Sequence, residues 1–260
     1  MSARALILSL LLATSTACNS ISCPPETKQQ EEEQILEEPE TIGPSFLLDP
    51  EKYDMIETGE NDRYGCVGAL MNANGDIACS AVLINSKAIL TSQHCFGEDL
   101  SHLFFMTQNG KAYLIKDVFF PNKINPGLPF NDLALCILEA ECEETPAKLV
   151  QGPFELRPGE ELTTVGWSLG IKKVSQPGVV KYYGSLIEEG GQVMRMLATK
   201  GSVFYGDSGG AVFEDGGLLA GIICFFGMDA ETGVIVDNGA VRLDYFKKWI
   251  DETLKENCLE

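Results

Sequence analysis

Basic residues are scarce in this chain: 19 Lys and Arg stand against 38 Asp and Glu, a net charge of −19 over 260 residues. The cations form no cluster, so nothing offers a basic face to a polyanion, and nucleic acid is excluded as a partner. Histidine is nearly absent, with His94 and His102 alone. The nine cysteines include no Cys-x-x-Cys pair. A zinc centre would lack its usual ligands, and we expect neither a metal nor a cofactor. No segment reaches the length of a membrane-spanning helix. Nine cysteines fit an oxidising compartment, where they serve as disulfides.

The N-terminus agrees with that compartment. Arg4 precedes an apolar run from Ala5 to Leu12, and the small residues Ser15, Thr16 and Ala17 follow. A positive start, an apolar middle and a small-residue end form a secretory signal. Residues 1–17 are therefore read as a signal peptide. Ser15-Thr-Ala-Cys18 resembles a bacterial lipoprotein cleavage box, with serine where leucine is usual. The resemblance implies a lipid on Cys18 and attachment to the membrane through it; an ordinary signal peptidase is equally satisfied by Ser15 and Ala17. The expected location is outside the cytoplasm, either lipid-anchored in a bacterial cell envelope or secreted. Residues 18–55 contain the Glu- and Gln-rich stretch Glu26 to Glu40 and lack apolar periodicity. They read as a solvated tether or a propeptide.

Residues 56–260 read as one domain. About 200 residues suffice for a well-buried core. Glycine is abundant at 26 and proline moderate at 12, and short apolar runs are separated by turns. This pattern predicts an all-β protein. Strands are expected at Cys66–Met71, Ile77–Ile84 and Ala88–Thr91, with a turn at Asn72–Gly75 marked by its Asn-Gly pair. Tyr245, Trp249, Ile250 and Leu254 are spaced for a C-terminal amphipathic helix over Asp244–Leu254.

Three motifs carry chemistry, and they occur in a telling order. Cys79-Ser-Ala-Val-Leu-Ile84 leads to Ile89-Leu-Thr-Ser-Gln-His94-Cys95. Asn131-Asp132-Leu-Ala-Leu135 follows, and then Gly206-Asp207-Ser208-Gly209-Gly210. A serine hydroxyl is a weak nucleophile until a base takes its proton, and flanking glycines let the backbone aim amides at a developing oxyanion. The set resembles the chymotrypsin/trypsin family of serine proteases, including the interval between Cys79 and His94. The resemblance covers roughly residues 56–254.

The resemblance implies two packed six-stranded antiparallel β-barrels with a C-terminal helix. It implies catalytic residues His94, Asp132 and Ser208, an oxyanion hole made by the amides of Gly206 and Ser208, and a disulfide between Cys79 and Cys95. Ser202 would stand at the base of the substrate pocket. Phe225 and Phe226, in Gly217-Leu-Leu-Ala-Gly-Ile-Ile-Cys224-Phe225-Phe226, would line its wall. Serine at the base implies a preference for uncharged residues before the scissile bond. Asp207 is linked to activation in the family, where it often pairs with a freshly cut N-terminus. Ile56-Glu-Thr-Gly59 is a weak match to that N-terminus, so both cleavage before Ile56 and an internal partner for Asp207 stay open. Phe204 replaces a family cysteine, which implies looser pocket walls. Gln93 replaces an alanine, and Cys224 replaces a serine near the aspartate. His102 lacks any motif and reads as a solvent-facing or strand-edge residue.

The expected function is a monomeric serine endopeptidase acting on protein or peptide substrates. A rival reading is a catalytically weak surface lipoprotein that uses the protease fold for binding or adhesion. A general esterase fits the triad but not the residues around His94. The pairing of Cys23, Cys66, Cys136, Cys142, Cys224 and Cys258 is not derivable from spacing.

Overall fold

The computed structural model describes residues 56–57, 63–96, 103–121, 131–153, 161–168, 171–179, 193–198, 203–229, 231 and 235–259. Residues 1–55, read above as signal peptide and tether and including Cys18 and Cys23, lie outside the described residues, as do His102 and Ser202.

The chain folds hairpin by hairpin. Strand β2 (Val67–Met71) turns into β3 (Ile77–Asn85) through Asn72–Asp76. The Asn72 side-chain oxygen accepts the amides of Asn74 and Asp76 at 2.9 and 3.0 Å, and Gly75 takes a φ of 86°. That left-handed conformation suits glycine and closes the hairpin where the Asn-Gly pair predicts it. Strands β4 (Ala88–Thr91), β5 (Phe104–Met106), β6 (Ala112–Phe119) and β7 (Ala134–Leu138) complete a closed barrel in the order β2-β3-β4-β7-β6-β5. Closure leaves no unpaired strand edge. Phe105, Leu70, Leu83, Ile89, Leu90 and Leu135 are among its fully buried side chains.

The second sheet comprises β1 (Ile56–Glu57), β8 (Glu161–Ser168), β9 (Ile171–Val179), β10 (Val193–Ala198), β11 (Ala211–Glu214), β12 (Leu219–Met228) and β13 (Ile235–Arg242). Its order is β1-β9-β10-β13-β12-β11-β8, and β9 also pairs with β8. The pairings thus return upon themselves, with β1 added along β9. Leu162, Leu219 and Ile222 are among its buried side chains. Trp167 bridges the two halves: its indole N–H donates to the Val67 carbonyl at 3.4 Å.

The C-terminal helix α1 spans Lys247–Glu256 and starts later than its apolar spacing predicts. A 3₁₀ turn at Leu243–Tyr245 occupies the expected first turn. Arg242 holds the Asp244 carboxylate through Nε at 3.1 Å and Nη2 at 2.7 Å, and its guanidinium lies over the Tyr245 ring. Asp244 is thereby spent on an ion pair rather than on capping a helix. Ile250 is buried against the core, with Trp249 and Leu254 partly buried beside it, while Tyr245 stays exposed. No described helix is long and apolar enough to cross a membrane.

Candidate active site

His94 sits on a 3₁₀ turn, Gln93–Cys95, that leaves the end of β4. Cys95 is bonded to Cys79 on β3, as the resemblance implies. This crosslink pins the turn to the barrel wall. Asp132 stands just before β7 and engages His94 twice. Its Oδ1 accepts the His94 backbone N–H at 2.9 Å, and its Oδ2 lies 2.5 Å from Nδ1. The Asp132 side chain is 12% exposed and that of His94 is 46% exposed. A carboxylate at Nδ1 holds the proton there, which leaves Nε2 as the basic nitrogen on the open side of the ring.

Ser208 is carried by a turn that docks between the two halves. Its carbonyl accepts the Ser80 N–H at 2.7 Å and lies 3.8 Å from Cys95 Sγ, next in sequence to His94. Gly209 donates to the Ile223 carbonyl at 2.7 Å, and the Ser92 hydroxyl donates to the same carbonyl at 2.7 Å. Gly206 and Gly209 have φ values of 94° and 81°. A Cβ on Gly209 would overlap the Ser80 carbonyl and Thr91 Oγ1. Glycine is required there both by conformation and by space.

Within this turn the amides divide into two sets. Those of Asp207, Gly209 and Gly210 donate to Phe204, Ile223 and Asp207 carbonyls. Those of Gly206 and Ser208 make no hydrogen bond among the described residues. Two amides two residues apart, both unspent, are what an oxyanion site needs. Asp207 is buried, and its Oδ2 accepts the Ser168 hydroxyl at 2.7 Å and the Phe204 amide at 2.8 Å.

The residues expected at the pocket form an aromatic group. Phe225 lies across Gly239, where a Cβ would overlap its ring. Phe226 stacks on Phe204 with centroids 5.4 Å apart and meets Tyr205 edge-on at 5.1 Å. Phe204 is buried with Ile235. The missing family cysteine therefore does not leave a gap at Phe204. An aromatic contact ties Phe204 to Phe226 there.

Cys136, Cys142 and Cys224 are buried free thiols, Cys258 is an exposed one, and Cys66 is buried. Burial raises the Cys224 pKa well above its ordinary value, and the nearby Asp132 charge adds to the shift. Burial alone pushes the Cys136 thiol up. Both stay protonated at neutral pH, so neither competes as a nucleophile.

Sequence motifs single out His94, Asp132, Ser208, Cys79 and Cys95; the structure joins His94 to Asp132 and Cys79 to Cys95, and sets the Ser208 carbonyl 3.8 Å from Cys95 Sγ. They miss Ser80, Ser92 and Ser168, whose hydroxyls sit at no exposed surface and reach carbonyls or a carboxylate far along the chain. A serine inside an otherwise apolar strand is a usable signal, because a buried hydroxyl needs a partner.

The family model for trypsin matches residues 56–250. Among solved structures, human heparin binding protein is similar at 17% identity and a TM-score of 0.63, over 77% of this chain and 96% of that one. Neuropsin, a serine protease expressed in the limbic system of mouse brain, is similar at 17% identity and a TM-score of 0.63, over 77% and 99%. No curated protein sequence matches. With that span matched, a closed six-stranded barrel, a second sheet, the Cys79–Cys95 crosslink and the C-terminal helix all present, the chain belongs to the trypsin family of serine proteases.

Proposed function

We propose that this chain is an exported serine endopeptidase with His94, Asp132 and Ser208 as its catalytic residues. The observation that carries the reading is the double engagement of His94 by Asp132, with the Ser208 turn docked one residue away through Cys95. Ser208 Oγ attacks the peptide carbonyl carbon while His94 Nε2 takes its proton. The amides of Gly206 and Ser208 receive the oxyanion. The C–N bond then breaks, His94 returns the proton to the leaving amine, and water repeats the sequence to free the acyl-enzyme. Asp132 stabilises the imidazolium and keeps its proton at Nδ1. A fluorophosphonate probe tests this: it labels the folded protein, and Ser208→Ala abolishes the label. A folded wild type that takes no label would leave a binding module as the better reading. Human heparin binding protein shares the fold, but a net charge of −19 repels a polyanion such as heparin.

The pocket reading is also part of the proposal. Ser202 at the base supplies no counter-charge, and Phe226, held by Phe204 and Tyr205, narrows the entrance. Asp229 accepts the Glu231 amide at 3.2 Å within its own turn. A buried Lys or Arg would be unpaired at high cost, whereas a small or medium apolar side chain gains about 1.5–3 kcal/mol on burial. Ala, Val or Leu is therefore preferred before the scissile bond. A peptide library varied at that position measures kcat/KM for each residue, and top rates for Arg and Lys would refute the assignment of Ser202.

Export follows from Arg4, the apolar run and Cys18. Mass spectrometry of the mature protein from its native host is expected to find either a lipidated Cys18 or a cut between Ala17 and Cys18. An intact Met1 would rule export by this route out.

A further inference from the structure

Two buried hydroxyls that take no part in the acyl-transfer steps fix the turn carrying Ser208. Ser80, on β3, has no exposed surface. Its hydroxyl donates to the Gly206 carbonyl at 2.7 Å and accepts the Trp167 amide at 2.8 Å, while its own amide holds the Ser208 carbonyl. Ser168, at the end of β8, also has no exposed surface and donates to Asp207 Oδ2 at 2.7 Å. The strand is shaped for this carboxylate: a Cβ on Gly166 would overlap it.

A carboxylate this deep is stable only with donors around it. Two donors to it are the Ser168 hydroxyl of β8 and the Phe204 amide of its own turn. The start of the domain is committed elsewhere: Ile56 and Glu57 run as β1 along Val174 and Lys173 of β9. The fixed carboxylate in turn sets the backbone. The Asp207 carbonyl accepts the Gly210 amide at 2.8 Å, which orients the peptide whose N–H belongs to Ser208. The tie from Ser80 to the Gly206 carbonyl sets the next peptide plane on the Gly206 side.

We propose that Ser168, assisted by Ser80, is the positioning residue that orders the Gly206–Ser208 turn, so that the chain is active without a cut near Ile56. The proposal rests on the reading of Ser208 as nucleophile. Ser168→Ala takes a donor from Asp207 and leaves His94, Asp132 and Ser208 in place. The expected loss is about 10- to 100-fold in kcat with KM little changed, the signature of a weakened oxyanion site.

The experiment uses the full exported chain labelled with a fluorophosphonate and weighed intact. An adduct on chains that extend N-terminal to Ile56 supports the proposal, and an adduct confined to chains beginning at or after Ile56 overturns it. In parallel, Ser168→Ala and Ser168→Thr are assayed for peptide hydrolysis and for inhibition by a peptidyl boronate, which forms a tetrahedral adduct. Support is a matched loss of kcat and boronate affinity in Ser168→Ala, with recovery in Ser168→Thr, which keeps the hydroxyl. Wild-type kcat in a folded Ser168→Ala overturns the positioning role. Should that variant not fold, Ser168→Thr and the intact-mass measurement still decide. Undiminished labelling of Ser208→Ala would instead remove the nucleophile reading itself, and this proposal with it.

Discussion

Ser208→Ala and His94→Ala each lower kcat/KM for peptide hydrolysis by about four to six powers of ten, and the double variant is little worse than either. The non-additivity is the diagnostic part. Without Ser208 there is no hydroxyl for His94 to deprotonate, and without His94 the hydroxyl keeps its proton. Each loss therefore removes the same event. Asp132→Asn is expected to lose about four powers of ten, because an amide at Nδ1 no longer selects the tautomer that leaves Nε2 basic. Steady-state kinetics on the three single variants and the Ser208/His94 pair check this. Fully additive losses at Ser208 and His94 would show that they do not share a step.

Gly209→Ala is expected to carry the largest stability effect of any single methyl group near the site. At a φ of 81°, an alanine enters the left-handed region, at a cost of about 1–2 kcal/mol. Its Cβ also overlaps the Ser80 carbonyl and Thr91 Oγ1, neither of which is free to withdraw, because Thr91 donates to that same carbonyl at 2.7 Å. Overpacking of this kind costs about 1–3 kcal/mol more. Urea unfolding is expected to register a loss of about 2–5 kcal/mol, together with loss of fluorophosphonate labelling. Gly217, by contrast, has a φ of 81° with nothing near its Cβ position. Gly217→Ala thus bears only the conformational part, and the difference between the two variants isolates the steric part. Equal losses at both glycines would refute the account.

Motif and turn chemistry made much of this site legible from sequence. His94, Asp132 and Ser208 lie in short segments whose order and neighbours are informative, and the Asn72–Gly75 turn is written in consecutive residues. What stayed hidden depends on pairs distant in sequence. Ser80 and Gly206 are 126 residues apart, so nothing local to Ser80 announces the bond. The apolar spacing starts α1 at Asp244, but Arg242 holds the Asp244 carboxylate in a 3₁₀ turn and the helix begins at Lys247. Strand β9 passes through Pro177. The β8–β9 register shifts between Leu162 and Thr164, whose partners are Gly178 and Ser175, so the ladder skips the position that has no amide to donate.

The ring of the second sheet bears on when this chain becomes dangerous to its maker. The turn holding Ser208 runs directly into β11, and β11 is placed only when Ala211 to Glu214 register against Val165 to Leu162 of β8 and against β12 beyond. His94 and Asp132 belong to the other barrel, completed by residues up to Leu138. A chain emerging N-terminus first can assemble its base and carboxylate early, but it has no usable nucleophile until a strand made late closes upon one made earlier. Such long-range pairings form slowly. On the proposed reading of Ser208 as nucleophile, latency during synthesis follows from the strand order itself.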